Sequence, residues 1–92
     1  MADEAIARRL VIHGRVQGVF FRDTMRRVAR EAGVSGWACN SAHGTVEALL
    51  EGPPHAVEQV LEFARRGPER ARVERVDIDE APVAGLTGFE VR

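Results

Sequence analysis

The hydrophobic period of this chain switches repeatedly between two and about 3.6 residues, and the order of the switches restricts it to few folds. Ile6, Leu10 and Ile12 share one face of a first strand read over Ala5 to His13. Phe21, Met25, Val28 and Ala32 then recur at helical spacing over Phe21 to Ala32, with Asp23 set to pair with Arg27 and Gly33 as a stop. A second strand follows over Val34 to Asn40. The segment Ser41-Ala42-His43-Gly44 turns the chain into a third strand, which carries Val46, Ala48 and Leu50 on one face. Gly52-Pro53-Pro54 ends that strand. A second helix over Pro54 to Arg65 places Val57, Val60, Leu61 and Ala64 inward, with proline suited to its first turn and Gly67-Pro68 beyond its end. In a fourth strand over Ala71 to Asp79, Val73 and Val76 lie three apart, which breaks alternation and predicts a bulge or a shifted register. A loop with Pro82 and Gly85 leads to a short last strand, Gly88 to Arg92, expected at a sheet edge that Arg92 guards.

The resulting order, β-α-β-β-α-β with a short extra strand, is that of the ferredoxin-like split β-α-β sandwich, an α+β class in which two helices cover one face of an antiparallel sheet. The sequence has 92 residues, enough for a single domain over 1–92 with one core. In this topology the first helix returns between strands one and two, so both strands run the same way and their C-terminal ends emerge on one edge. With the third strand between them, those ends stand about 10 Å apart. Asn40 lies at the second end. At the first end lies the segment Gly14-Arg15-Val16-Gln17-Gly18-Val19-Phe20-Phe21-Arg22.

That segment carries two glycines and a closing arginine between a strand and a helix, which is how a chain builds an anion pocket. Its turn delivers backbone N–H groups to a helix N-terminus, where free donors and the positive end of the macrodipole both favour a phosphate. Arg22 in the first helical turn opposes the dipole by about 0.3–1 kcal/mol. A bound anion reverses that cost.

Charge narrows the partners. The net charge is −1 and the pI about 6.3, so no global positive field draws the chain to nucleic acid or acidic membranes. All 13 Lys and Arg residues are arginine, which excludes a Walker-type phosphate lysine and Schiff-base chemistry within this chain. Any anion is held by arginine and backbone. His13, His43 and His55 have no metal-ligand spacing, so no metal is assigned. Cys39 is the single cysteine, which precludes an internal disulfide and fits a reducing compartment. No apolar run approaches the roughly 20 residues of a membrane span, and Met1-Ala2-Asp3-Glu4 starts acidic, unlike a signal peptide. The expectation is a cytoplasmic monomer acting on a small molecule.

GRVQGVFFR, followed by GWACNSAHGTVEALLEGP, GPERARVERV and the terminal GFEVR, resembles the acylphosphatase family over nearly the whole chain. The turn after Asn40 has His43 where the family usually has Asp before Gly. Asp23-Thr24 stand where an aromatic often follows the arginine. The resemblance implies hydrolysis of carboxyl-phosphate mixed anhydrides without metal or cofactor, with inorganic phosphate as product and inhibitor. It implies that the loop of Arg15, Val16, Gln17, Gly18, Val19, Phe20 and Phe21 cradles the phosphate with backbone amides, that Arg22 binds it, and that Asn40 holds the attacking water. It implies further that the substrate's own phosphate oxygen takes the water's proton. The residue types suit these roles. Arg22 offers a planar fork of donors to phosphate oxygens, and Asn40 accepts from and orients a water although its amide is no base.

Each residue has a plainer reading beside that one. Gly14 and Gly18 also suit a tight connection, Asn40 a turn, and Arg22, Arg26 and Arg30 a solvated helix face. Trp37 and the four phenylalanines read as core, with Phe20 and Phe21 as candidate pocket walls. RNA-recognition domains share the element order but need aromatics and a basic face on the third strand. Thr45-Val46-Glu47-Ala48-Leu49-Leu50-Glu51 has neither. A non-catalytic anion-sensing or partner-docking module on the same fold stays open, since it needs Arg22 but not Asn40.

Overall fold

The computed structural model describes residues 4–92; of the acidic start, Met1-Ala2-Asp3 lies outside the described residues. The elements are β1 (Ile6–Arg15), α1 (Phe21–Ala32), β2 (Ser35–Asn40), β3 (Val46–Gly52), α2 (Pro54–Arg66), β4 (Arg72–Ala81) and β5 (Phe89–Val91). The strands form one sheet in the order β4-β1-β3-β2-β5. β3 therefore lies between β1 and β2, antiparallel to both. The departure from antiparallel pairing is β5, which lies parallel to β2, Gly36 facing Phe89 and Ala38 facing Val91. The sheet is accordingly mixed at that edge.

Both helices pack on one face. Phe21, Met25 and Ala29 of α1 and Val57, Val60, Leu61, Phe63 and Ala64 of α2 join Leu10, Ile12, Ala38, Val46, Ala48 and Leu50 in a single buried cluster. The rings of Phe21 and Phe63 meet at 5.5 Å between centroids, joining the two helices. The α1 stripe is centred on Phe21, Met25 and Ala29, while Val28 and Ala32 flank it half-buried. Gly33 closes α1 in the left-handed region at φ 80. Its N–H reaches Arg30 O at 3.3 Å and the Val34 N–H reaches Ala29 O at 2.8 Å, the pairing that satisfies helix-terminal carbonyls.

The irregular spacing in β4 is a bulge. Ile12 and His13 face Val76 and Arg75, but Gly14 and Arg15 face Val73 and Arg72. Glu74 is the extra residue, and its insertion returns Val73 to the face of Val76 and Ile78, all three packed against the core. Gly14 is part of β1 and of this bulge, not of the turn. Its φ is 125, and a Cβ there would sit 2.1 Å from the Arg72 carbonyl oxygen. Beside it, the hydrogen bond from His13 holds the Asp77 carboxyl below its ordinary range, with Arg75 adding to the effect.

Two expectations about the aromatic residues are corrected. Trp37 is not core. It is half-buried between the guanidinium groups of Arg9 and Arg92, 5.6 and 4.9 Å from the ring centroid, a favourable stacking for both cations. Phe20 is also outside the core, being 72 % exposed. On the sheet face of Trp37, Glu51 is buried, its two carboxylate oxygens accepting from the Ala84 and Leu86 N–H groups at 2.7 Å each. That strap carries the chain from β4, at one sheet edge, across to β5 at the other.

Candidate active site

The chain leaves β1 at Arg15 and enters α1 at Phe21. Val16 and Val19 are buried at 1 % and 4 % exposure, so two apolar anchors pin the connection and leave the backbone between them displayed. Gly18 has φ 74 with open space where a Cβ would stand; glycine serves the dihedral angle here. Among the described residues, the hydrogen bonds of turns, loops and caps use none of the N–H groups of Gln17, Gly18, Val19 and Phe20 as donors. The first intrahelical bond, from the Thr24 N–H to Phe20 O at 3.1 Å, starts α1 without a side-chain cap. The helix N-terminus thus points its amides into the same space.

Gln17 joins this loop to the end of β2. Its Nε2 donates to Ser41 O at 2.8 Å and to Thr45 O at 3.0 Å, on the turn that begins directly after Asn40. The turn is tightened by Ser41, whose Oγ meets Thr45 Oγ1 at 2.6 Å and accepts from the His43 and Thr45 N–H groups. The Arg22 guanidinium is held from the other side, Nη1 donating to the Arg92 main-chain oxygen at 2.7 Å. Arg92 N–H in turn bonds to Ala38 O at 2.9 Å, on β2.

A cavity of about 290 Å³ opens among these elements, lined by Val16, Gly18, Phe20, Phe21, Arg22, Asp23 and Asn40. Six residues singled out in the sequence meet there: Val16, Gly18, Phe20, Phe21, Arg22 and Asn40. Arg15 lies exposed at the end of β1, Gln17 reaches away to the turn, and Val19 turns into the core. Sequence reasoning put Asp23 beside the site with the wrong partner, and it missed Arg92. Asp23 lines the cavity and pairs with Arg26 at 3.2 Å, not with Arg27. Arg92 acts through its backbone oxygen, for which no side-chain pattern exists.

The arginine stripe on α1 is likewise not a purely solvated face. Arg22 and Arg30 donate to main-chain oxygens at the C-terminal strand, Arg30 Nη2 reaching Phe89 O at 3.3 Å. Arg26 and Arg30 line a second, more open cleft beside β5. Among the described residues no three His, Cys, Asp or Glu side chains gather as metal ligands would, and no helix is long and apolar enough to cross a membrane.

An arginine in the first turn of α1 and an asparagine at the end of β2, sharing a cavity with the loop that follows β1, now have a match among known proteins. The acylphosphatase family model matches residues 8–91. The chain belongs to the acylphosphatase family. An acylphosphatase from Acidovorax sp. (strain JS42) is 50% identical over 94 aligned positions, covering 100% of this chain and 97% of that protein. The acylphosphatase structure from Coxiella burnetii superposes with a TM-score of 0.91 at 34% identity, over 96% of this chain and 93% of that one. The acylphosphatase of Bacillus subtilis gives the same TM-score, 0.91, at 31% identity over 95% and 98% of the two chains. Acylphosphatase membership makes this chain an enzyme, and the family's reaction is the hydrolysis of acyl phosphates.

Proposed function

We propose that the cavity hydrolyses acyl phosphates with the phosphoryl group held by the Arg22 guanidinium and by backbone amides of the loop from Arg15 to Phe21, and with Asn40 orienting the attacking water. The observation that supports this most is the sharing of one cavity by Arg22, Asn40 and Gly18 at an uncapped helix N-terminus. A seated phosphate satisfies loop N–H groups that otherwise face water, and it turns the unfavourable placement of Arg22 against the macrodipole into a favourable one.

The chemistry asks little more. Water oxygen attacks phosphorus while the bond from phosphorus to the acyl oxygen breaks, and the electron pair leaves on a carboxylate. The carboxylate is already a good leaving group, so positioning and charge stabilisation suffice without a strong acid or a covalent nucleophile. The Asn40 amide oxygen accepts from the water and aligns it. The water's proton passes to a phosphoryl oxygen, giving inorganic phosphate. In this reading the positive charge comes from arginine and amides, with no metal and no cofactor. The chain acts as a single domain over 1–92 and as a cytoplasmic monomer, inorganic phosphate being both product and inhibitor.

Colorimetric phosphate release from acetyl phosphate or benzoyl phosphate, measured against buffer hydrolysis, tests the reading. Inorganic phosphate should inhibit competitively and raise the melting temperature, as a ligand of the native state must. Phosphate binding and a thermal shift without turnover would instead favour an anion-sensing module.

A further inference from the structure

The arginine stripe of α1 continues past the first cavity. Arg26 and Arg30 follow Arg22 at one and two helical turns and line, with Trp37, Thr87, Glu90 and Arg92, a second cleft of about 500 Å³. Each of its three guanidinium groups is anchored by a single nitrogen. Arg26 Nη2 donates to Asp23 at 3.2 Å, Arg30 Nη2 to Phe89 O at 3.3 Å and Arg92 Nε to Glu90 at 3.1 Å. Among the described residues their other nitrogens donate no hydrogen bond. Glu90, the acidic residue of the lining, is taken up by Arg92. Arg26 and Arg30 stand four apart on one helix face, where like charges repel. Three guanidinium groups gathered in this way on a chain of net charge −1 carry a repulsion that folding alone does not repay and that a bound anion relieves.

Each guanidinium presents a fork of donors matched to phosphate oxygens. Three forks in one cleft, with the exposed Thr87 beside them, offer more donors than a single phosphoryl group can accept. We infer that this second cleft is an effector site for a diphosphate group, that of inorganic pyrophosphate or of a nucleotide, separate from the cavity of Arg22 and Asn40. The two clefts are linked through Arg92. Its guanidinium borders the second cleft, 4.9 Å from the centroid of Trp37, while its main-chain oxygen holds Arg22 Nη1 at 2.7 Å. A diphosphate drawing on that guanidinium shifts the oxygen on which the direction of Arg22 depends. Its effect on turnover rests on the function proposed above; its binding does not.

Trp37 is the single tryptophan and lies on the lining, so its fluorescence reports the cleft directly. The wild-type protein, Arg22→Ala and the double variant Arg26→Gln, Arg30→Gln are titrated with inorganic pyrophosphate and with ADP at constant ionic strength. Circular dichroism checks each fold. A saturable change should appear in the wild type and persist in Arg22→Ala, with Kd raised about tenfold or more in the double variant. ADP binding as tightly as pyrophosphate, or more tightly, identifies the nucleotide as the source of the diphosphate; weaker ADP binding identifies the free diphosphate. No saturable change in the wild type, a change retained in the double variant, or one lost in Arg22→Ala overturns the site. With acetyl phosphate as substrate, pyrophosphate should lower kcat as well as raise KM, and the effect on kcat should vanish in the double variant. Purely competitive inhibition of the wild type overturns the effector role. The fluorescence titrations need no turnover, so a wild-type protein that hydrolyses no acyl phosphate overturns the proposed function while the titrations still decide the site.

Discussion

Arg22 Nη1 lies 2.7 Å from the main-chain oxygen of Arg92, so the start of the first helix and the end of the last strand grip one guanidinium. One donor of the fork is spent on that oxygen, which fixes the side chain's direction. The remaining donors stay available to phosphate.

Arg22→Lys should therefore lose most activity while keeping the fold. A single ammonium cannot hold the Arg92 oxygen and span two phosphate oxygens at once. We expect kcat/KM for acetyl phosphate to fall about 10²-fold or more, with circular dichroism unchanged. Near-parental turnover in the folded variant would remove Arg22 from the mechanism.

Asn40 separates an enzyme from a binding module. An orienting amide acts mainly in the transition state, so Asn40→Ala should lower kcat about 10²-fold and leave competitive inhibition by phosphate nearly unchanged. Arg22→Ala should damage both. Asn40→Asp keeps the shape but brings a negative charge towards the substrate phosphate, so it too should be crippled. If both Asn40 variants run at the parental rate, water is oriented elsewhere.

Charge stabilisation by arginine and amides alone has a direct test. Activity should survive exhaustive treatment with a chelator, unlike phosphoryl transfer that depends on Mg²⁺. Loss of activity that a divalent ion restores would refute the metal-free mechanism.

The Gln17 side chain reaches away from the cavity. Its two bonds to Ser41 O and Thr45 O set the loop after β1 against the turn that follows Asn40. Gln17→Ala should lower kcat about tenfold through misplacement of water relative to phosphate, with a smaller change in phosphate inhibition. Equal losses in kcat and in phosphate affinity would mean that the loop itself has collapsed.

Glu51 tests the strap. Glu51→Ala strands the Ala84 and Leu86 N–H groups, each now 2.7 Å from a carboxylate oxygen, and should cost about 2 kcal/mol of stability. Urea unfolding measures this. Because the strap leads to β5 and the Arg92 oxygen, the KM for acetyl phosphate should rise as well. A variant as stable as the parent would show the strap to be held by other contacts.

Most of the architecture was legible along the chain because local periodicity reports which side of an element is buried. Val46, Ala48 and Leu50 alternate in sequence and are all fully buried. The helix boundaries at Ala32 and Pro54 match their glycine and proline signals. The candidate site was legible from element order: Gly18 and Arg22 follow β1, Asn40 ends β2, and the crossover places those two strand ends on one edge.

What the sequence by itself determined, then, was the succession of elements, the inward faces and the convergence of the first two strand ends, all set by short-range pattern and the handedness of a crossover. Tertiary structure decided every feature that depends on a partner far along the chain. Gly14 belongs to a bulge because Glu74 is the extra residue across from it. Trp37 left the core because Arg9 and Arg92 flank it on a face no helix covers. Arg22 and Arg30 turned towards β5 because that strand joined β2 in parallel. A side chain's own spacing states which face it occupies. Which backbone oxygen or ring waits on that face is known only once distant strands have paired, since pairing places residues tens of positions apart within hydrogen-bond reach.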